Sequence, residues 1–207
     1  LRNLYGVPEV YEVVYRKGVT TDPSEPPNQE IPPLTERVMA VSEVVKVDVM
    51  LPGCPTTPEL FAEAITSLLE GKPLKLSDKS VCDDCPTKRE KKAAAGMTLK
   101  RPLAKIAEKG TELSSMRCLM EQGYLCLGPA TRSGCGGHEK VPRCIKAYMP
   151  CRGCFGPLRH DANPMVDMMG ALSTIGIDPK QILDRQATFN RFCGGQARLR
   201  PMPAPKK

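Results

Sequence analysis

The sequence predicts an α/β fragment followed by a loop-rich region that cysteines organise, with helices flanking that region. Three observations support this fold class. Residues 45–71 show a strand pattern that leads through a glycine-containing loop into a helix, and residues 72–160 show little periodicity but hold eight of the ten cysteines. Two helical patterns follow, before a tail that we expect to be disordered. We therefore divide the chain into residues 1–71, residues 72–193 and a tail at residues 194–207.

The composition limits the kind of core that the chain can build. It holds no Trp, 4 Phe and 5 Tyr, against 21 Pro and 17 Gly. Aromatic side chains are the largest units of buried area, and no apolar run approaches the ~20 residues of a membrane span. These features exclude an integral membrane protein, a coiled coil and a large conventional core. Cysteine is the candidate for what holds the rest of the chain together.

The charge pattern indicates solvated surface rather than a nucleic-acid site. The net charge is +7, and much of the excess lies in two stretches without interleaved aromatic residues, so there is no stacking platform for bases. We expect no nucleic-acid partner. The basic residues are Lys88, Arg89, Lys91, Lys92, Lys100, Arg101 and Lys105 in the first stretch, and Arg198, Arg200, Lys206 and Lys207 in the second.

One strand and one helix are predicted before the cysteine-rich region. Val45–Leu51 alternates apolar with other residues and is rich in β-branched side chains, which predicts a strand. Thr56 or Thr57 with Pro58 predicts a helix start, and Gly71 predicts its end. A single strand cannot form a sheet, and the chain lacks an initiator Met, so we expect it to begin inside a longer polypeptide. The expected buried side of the helix is Leu60, Phe61, Ala64, Ile65, Leu68 and Leu69.

Three further helical patterns lie before the predicted strand or after the cysteine-rich region. Residues 34–42 have apolar positions on one face, and residues 165–172 carry a methionine-rich apolar face. Asp178 as a cap and Pro179 at the first position predict a helix that continues through residues 182–192. The methionine-rich face consists of Met165, Val166, Met168, Met169 and Leu172.

The cysteines are compatible with three kinds of site. Disulfides suit secreted domains, but Cys-x-x-Cys pairs such as Cys82/Cys85 and Cys151/Cys154 rarely form structural bridges. One zinc ion could use both pairs, although 65 residues separate them and four cysteines would lack paired spacing. Iron–sulfur clusters take four thiolates each, and the eight cysteines between 82 and 154 make two such sets.

The residues beside these cysteines favour iron–sulfur clusters. Seven glycines between 123 and 156 let backbone N–H groups approach sulfur closely. Pro86 and Pro150 adjoin cysteines, as in ferredoxin-like sites. Ligation would also supply stability that the few aromatic residues cannot. Eight cysteines already satisfy two clusters, so we expect neither His138 nor the half-buried Cys193 to be a ligand.

Four cysteine-containing segments occur in an order that is specific to one family. They are Leu51–Pro55 (LPGCP), Cys82–Pro86 (CDDCP), Cys126–Gly136 (CLGPATRSGCG) and Met149–Pro157 (MPCRGCFGP). Together they resemble the C-terminal part of the small subunit of cytoplasmic nickel–iron hydrogenases, of the methanogen-like viologen-reducing or F420-reducing branch. The resemblance covers roughly residues 34–193.

The resemblance implies a fold and a function. Residues 1–71 would be the end of a flavodoxin-like domain, and residues 72–193 a ferredoxin-like region with two 4Fe–4S clusters. The chain would be a cytoplasmic electron-transfer subunit without catalytic residues or a membrane span of its own. It would relay electrons between the nickel–iron site of a large subunit and a downstream flavin- or iron–sulfur-containing subunit.

Position by position, the resemblance assigns nine cysteines as metal ligands. Cys54 is similar to the last ligand of a third, proximal cluster, whose other ligands would lie outside this chain because no cysteine precedes it. The residues alone leave the division of the other eight open, since Cys126 could exchange with Cys144. The family order gives a distal set of Cys82, Cys85, Cys118 and Cys126, and a medial set of Cys135, Cys144, Cys151 and Cys154.

Two other functions compete with this hypothesis. A quinone-linked respiratory subunit shares the Pro-Gly-Cys-Pro segment at residues 52–55, but such chains end soon after it and lack the two later clusters. A zinc-organised, basic nucleic-acid module would use the same cysteines and lysines. Visible absorption near 400 nm separates them, because iron–sulfur proteins are brown and zinc proteins are colourless.

Overall fold

The computed structural model describes most of the chain and divides it into two compact units. The first unit is Leu1–Val47 with Gly195–Lys207, and the second is Asp48–Gly194. The ten cysteines lie in the second unit. The predicted domain boundary at residue 71 stays a prediction, and the predicted tail lies outside the described residues. The described residues are 6–35, 40–90, 97–100, 110–159 and 162–193.

The described part of the first unit consists of two short helices and an extended connection. Helix α1, Val7–Tyr11, continues as a π-helical turn at Glu12–Arg16, and helix α2 is Val41–Val44. The Ser24 N–H donates to the Tyr15 carbonyl at 2.8 Å, which folds the chain back along the first helix. Of the helix predicted at residues 34–42, residues 36–39 lie outside the described part.

The strand predicted at residues 45–51 does not form. These residues are extended or bent without ladder pairing, and the β-structure of the described ranges consists of isolated bridges elsewhere. Val45 and Val47 are 53% and 37% exposed. An alternating pattern becomes a strand only where a neighbouring strand completes a ladder of hydrogen bonds with it.

Helix α3, Pro58–Leu69, forms at the predicted start. The Thr57 hydroxyl accepts the Leu60 N–H at 3.2 Å, and Pro58 occupies the first turn. Of the predicted buried side, Ala64 is buried and Leu60 is half-buried, whereas the prediction is wrong for Phe61, Ile65, Leu68 and Leu69, which are 52%, 43%, 56% and 84% exposed. Among described elements the helix mainly contacts the 3₁₀ turn Gly137–Glu139, and that turn is too short to cover a whole helix face.

The cysteine-rich stretch is held together by paired backbone segments rather than by regular elements. Helix α4, Val81–Asp84, follows a segment that bridges to Arg132, with the Val81 N–H donating to Thr131 O at 2.8 Å. Thr131 in turn bridges to Pro157. Three distant segments therefore lie side by side. Further along the chain are the 3₁₀ turn Gly128–Ala130 and helix α5, Arg143–Lys146.

The last part of the second unit supplies most of its apolar core. Helix α6, Pro164–Thr174, buries Met168 and Leu172 completely, as the methionine-rich pattern predicts, although Val166 is 60% exposed. The helix predicted from Asp178 is wrong as one element. It is a 3₁₀ turn, Pro179–Gln181, followed by helix α7, Arg185–Phe189.

A second cap explains this break. The Asp184 carboxylate accepts the Ala187 N–H at 2.9 Å and starts α7 as a separate helix. The core formed by α6, α7 and the loops includes Val81, Cys126, Leu127, Ala130, Cys151, Met168, Leu172, Ile175, Ile177, Ile182 and Phe189. None of the helices in the described part of the chain is long and apolar enough to cross a membrane.

Candidate metal centres

Eight cysteines of the second unit form two groups, and each group contains one Cys-x-x-Cys pair. Within a group the ionisation of one thiol is influenced by the charge of others, as expected of neighbouring side chains. The division into two groups is the one implied by the sequence resemblance, and Cys151 is also influenced by Cys126 of the other group. Both the division and the role of the thiols as ligands stay predictions. The first thiol group is Cys82, Cys85, Cys118 and Cys126, and the second thiol group is Cys135, Cys144, Cys151 and Cys154.

Backbone pairing brings the members of the first thiol group together. The Lys88 N–H donates to Met116 O at 2.9 Å, and the Cys118 N–H donates to Lys88 O at 2.7 Å. The segment after Cys85 therefore runs beside the segment that carries Cys118. The Val81–Thr131 hydrogen bond similarly fixes α4, which holds Cys82, beside the turn that follows Cys126.

The N-terminus of α4 is capped by Asp83, the residue next to Cys82. The Asp83 carboxylate accepts the Ser80 N–H at 2.7 Å and the Ser80 hydroxyl at 2.8 Å. These hydrogen bonds lower the pKa of Asp83, because they favour its charged form. A helix of one turn has little stability of its own, so this cap and the bridge to Thr131 fix the position of Cys82.

Cys126 is buried and accepts two backbone hydrogen bonds at its sulfur. The donors are the N–H groups of Gly128 and Cys151, the latter at 3.2 Å. Burial raises the pKa of Cys126 to about 12, and these donors act in the opposite direction because they favour the thiolate. Backbone N–H groups aimed at a cysteine sulfur are a feature of iron–sulfur sites, where they tune the reduction potential.

Gly128 keeps a space open between two sulfurs of the first thiol group. A Cβ on this residue would stand 3.1 Å from the Cys82 Sγ and 3.6 Å from the Cys126 Sγ. The absent side chain therefore leaves room where two candidate ligands from distant segments face the same point. The donor set and this space fit a metal–sulfur group, and such a group would take its ligands from at least three chain segments.

Burial and neighbouring charges shift the pKa of Cys82 in opposite directions. Burial raises the pKa of Cys82 to about 12, and the Cys126 sulfur adds to the effect, whereas the Arg89 guanidinium counteracts it. Arg89 also donates to the Cys82 carbonyl. On the other side, the Cys85 Sγ lies 3.1 Å from the Thr87 hydroxyl. A cation and a hydroxyl therefore accompany the Cys-x-x-Cys pair.

A buried carboxylate clamps the segments of the first thiol group. Glu121 is 3% exposed and accepts the Glu90 N–H at 3.0 Å, and its Oε2 lies 3.4 Å from the Arg117 Nε. Residues 117–121 are thereby tied to the segment that follows Cys85. Glu121 was not among the residues singled out from the sequence, although a charged residue next to Leu119 and Met120 was a signal for a paired, buried acid.

The second thiol group relies on N–H donors and glycines. The Arg143 N–H, at the start of α5, donates to the Cys135 sulfur, and Cys144 interacts with Cys135, Cys154 and Cys151. Cys151 accepts from the Gly153 N–H, while burial raises its pKa, and the Thr131 hydroxyl donates to the Leu127 carbonyl at 2.5 Å. Gly153 has φ +84°, a conformation that side-chain-bearing residues rarely adopt.

Two contacts link the thiol groups to each other and to Cys54. Cys151 is influenced by Cys126 as well as by Cys144, so the two groups meet there. Cys54 is exposed, and its N–H donates to the Cys154 sulfur. The structure therefore places Cys54, the expected ligand of a third cluster, directly beside the second thiol group.

In the described ranges, no three His, Cys, Asp or Glu side chains converge closely enough to hold one metal ion. The choice between iron–sulfur clusters and zinc therefore stays a prediction.

His138 and Cys193 each contact a polar side chain that is not a cysteine. His138 is 88% exposed, and its Nε2 is 4.0 Å from a Glu59 carboxylate oxygen. Cys193 is buried, with its Sγ 3.9 Å from the Asn190 side-chain oxygen. That neither residue is a metal ligand stays a prediction.

Comparison with known proteins gives relatives over most of the chain. No protein-family model matches the chain. The vhu G subunit of the F420-non-reducing hydrogenase of Methanocaldococcus jannaschii is 41% identical over 192 residues, which are 93% of this chain and 62% of the relative. The G subunit of the F420-non-reducing hydrogenase of Methanothermobacter thermautotrophicus is 32% identical, over 89% of this chain and 60% of the relative.

A third relative is described by its cofactor type. The iron-sulfur G subunit of the F420-non-reducing hydrogenase of Archaeoglobus profundus is 31% identical over 196 residues, which are 86% of this chain and 58% of the relative. The chain thus spans about three fifths of the length of these relatives. They confirm the resemblance to hydrogenase small subunits, and their names indicate the F420-non-reducing type.

Proposed function

We propose that this chain, a homologue of one subunit type of the F420-non-reducing hydrogenases, is the electron-transfer subunit of a nickel–iron hydrogenase. The observation that supports this most directly is the pair of thiol groups. Each holds a Cys-x-x-Cys pair and two distant cysteines, which is the donor set of a 4Fe–4S cluster.

We assign the first thiol group to one 4Fe–4S cluster and the second to another. When bound, such clusters supply one-electron redox chemistry. The chain's own residues set the environment for that chemistry. The N–H donors at Cys126 and Cys151 favour added negative charge, while burial disfavours it, so the balance of the two determines how readily each site accepts an electron.

The contacts between the groups suggest an order for electron transfer. Cys54, with ligands from outside this chain, would belong to a third cluster that faces the nickel–iron subunit. The Cys54 N–H faces the Cys154 sulfur, which connects the third site to the second thiol group. Cys151 connects the second thiol group to Cys126 of the first. The proposed partners are a nickel–iron large subunit at one end and a flavin- or iron–sulfur-containing acceptor at the other, in the cytoplasm.

Metal analysis of the chain purified without oxygen tests this proposal. Two 4Fe–4S clusters predict about eight iron and eight acid-labile sulfide per chain, with broad absorption near 400 nm. Stoichiometric zinc without sulfide would contradict the proposal and favour the zinc alternative. Cys193→Ser is the matched control, because it removes a buried thiol that lies outside both groups, and it should leave the iron content unchanged.

The role of Cys54 needs the complete hydrogenase. We expect Cys54→Ser to abolish most hydrogen-dependent dye reduction by the assembled complex while the isolated chain keeps its two clusters. Thr56→Ser, two residues away, is the control for disturbance of this loop. Unchanged dye reduction in Cys54→Ser would show that Cys54 is not a ligand on the electron path.

A further inference from the structure

A groove beside Cys151 combines an apolar floor with a cationic rim. It has a volume of about 670 Å³. Leu127 and Cys151 are buried in its floor with the partly buried Leu125, and the exposed Lys100, Arg152 and Arg191 stand at its rim. We call it the Cys151 groove. Neither the thiol groups nor the similarity to known proteins accounts for this surface.

The charge of the groove is strongly one-sided. Asp184 is the only carboxylate among its described lining residues, and it is engaged as the cap of α7 through the Ala187 N–H. None of the three rim cations forms an ion pair with another described residue. Three cations around an apolar floor create a local positive potential that attracts anionic groups.

Two of the rim cations are held in place by aromatic rings. The Lys100 Nζ lies 5.7 Å from the centre of the Tyr124 ring, and the Arg191 Cζ lies 5.6 Å from the centre of the Phe192 ring. Cation–π contacts of this kind restrain a side chain without neutralising its charge. The rim is therefore partly preorganised, which lowers the entropic cost of binding an anion.

The mixed chemistry of the groove identifies its occupant. An apolar floor favours an aliphatic side chain, and a cationic rim favours carboxylates, so the combination fits an acidic protein segment with interspersed apolar residues. Nucleic acid would match the rim charge, but no aromatic residue lines the described part of the groove to stack on bases. A protein partner is the better match.

We propose that the Cys151 groove docks an acidic segment of an electron-accepting partner protein. The acceptor identity rests on the proposed function, whereas the preference for an acidic, partly apolar segment rests on the groove alone. Docking here would place the partner against Cys151, where the two thiol groups meet. The contact would depend on ionic strength, because its rim charges are exposed to solvent.

Binding of a synthetic peptide to the full chain, purified with its iron, tests this proposal. The probe is a fluorescein-labelled twelve-residue peptide of alternating Glu and Leu, followed by fluorescence anisotropy at low and high salt. We expect Lys100→Glu with Arg191→Glu to weaken binding about tenfold or more at low salt and to remove most of its salt dependence. Neither residue is a candidate ligand, so iron content should stay at the wild-type value.

The matched control reverses two exposed lysines elsewhere in the same unit. Lys140→Glu with Lys180→Glu changes the net charge equally but leaves the groove intact, and it should alter binding less than about twofold. Equal weakening by both double variants would overturn the proposal, because only net charge would matter. If Lys100→Glu with Arg191→Glu loses iron, the neutral double variant Lys100→Gln with Arg191→Gln tests the proposal in its place. We expect this variant to bind the peptide about threefold more weakly than the wild type.

Two further probes separate the alternatives. A Lys–Leu peptide should not bind, and a single-stranded oligonucleotide should bind more weakly than the Glu–Leu peptide. Tighter oligonucleotide binding that also depends on Lys100 and Arg191 would overturn the protein-docking proposal in favour of nucleic acid. A chain that holds no iron but still binds the peptide through the groove would contradict the proposed function and leave the groove's binding preference established.

Discussion

Helix α3 and the cysteine loops, residues 79–157, build structure in opposite ways. The helix is regular and capped by Thr57, yet Phe61, Leu68 and Leu69 on its surface are more than half exposed. The regular elements in the described part of the loops are single helical turns, yet they contain side chains as buried as Leu119 and Ile145, at 1% and 2% exposure. In this pair of regions, regularity and burial therefore do not go together.

The difference lies in what satisfies the backbone. In α3 the N–H groups beyond the capped first turn find their partners within the helix, so the element needs no neighbour to be formed. In the cysteine loops the partners lie far away along the chain, as when Arg132 donates its N–H to Gly156 O at 3.1 Å and Ser133 donates to Lys79 O at 2.8 Å. Such pairing forms only when several segments assemble at once, and proposed ligation of their cysteines would supply part of the energy.

The largest expected effect is the loss of one candidate ligand from the loops. Cys126→Ser removes a buried sulfur that accepts hydrogen bonds from two backbone N–H groups. We therefore expect the variant to lose about half of the iron, and its thermal midpoint of unfolding to fall by more than about 10 °C. Iron analysis and anaerobic thermal denaturation measure both effects. A variant with full iron would remove Cys126 from the ligand set.

Pairs of serine variants refine the same experiment. Cys85→Ser and Cys118→Ser should perturb one electron paramagnetic resonance signal, and Cys135→Ser and Cys154→Ser the other. This division follows the two thiol groups and leaves Cys126 with the first. If Cys118→Ser and Cys154→Ser acted on one signal, the grouping would be wrong, although the electron-transfer function would stand.

Helix α3 and the cysteine loops also differ in what could be predicted from the sequence. The start of α3 was predictable because Thr57 and Pro58 act within one turn. Its exposed face was not, since burial depends on which element packs there. The eight thiols were recognisable as two sets, but spacing alone left Cys126 and Cys144 interchangeable. The three-dimensional pairing of the loops brings the sulfurs of Cys126 and Cys82 to the same side of Gly128, and the assignment of Cys144 to the second group stays a prediction.

A methyl group in the space between two sulfurs should have the next largest effect. Gly128→Ala would place a Cβ 3.1 Å from the Cys82 Sγ, so a neighbour must shift by a few tenths of an ångström. We expect a loss of about 2 kcal/mol in unfolding free energy and a changed electron paramagnetic resonance line for the first thiol group only. A change in the second group's line instead would contradict the placement of Gly128.

Gly170→Ala is the matched control for this substitution. Gly170 lies inside α6, and a Cβ there would meet nothing within 4 Å. Replacing an exposed glycine in a helix interior by alanine should stabilise the chain by about 0.5–1 kcal/mol. If Gly128→Ala lowers the free energy of unfolding while Gly170→Ala raises it, the loops have no room for a side chain at residue 128, unlike α6 at residue 170.

Removing the buried charge of Glu121 should have a smaller effect. In Glu121→Gln the side-chain oxygen can still accept the Glu90 N–H, but the ion pair with Arg117 is lost, so we expect destabilisation by about 1 kcal/mol. Glu139→Gln is the control, because Glu139 pairs with Lys146 at the surface and should contribute less than about 0.5 kcal/mol. Equal effects would mean that Glu121 does not clamp the loops.

The smallest effect is expected on the exposed face of α3. Leu69→Ser replaces a side chain that is 84% exposed, so in the isolated chain the free energy of unfolding should change by less than about 0.5 kcal/mol. Ala64→Leu on the same helix is the contrast, because Ala64 is 2% exposed and a larger side chain there should cost about 1–3 kcal/mol. Thermal denaturation of both variants measures the difference. A large loss in Leu69→Ser would show that this face is covered within the chain itself, and the contrast between the helix and the cysteine loops would then disappear.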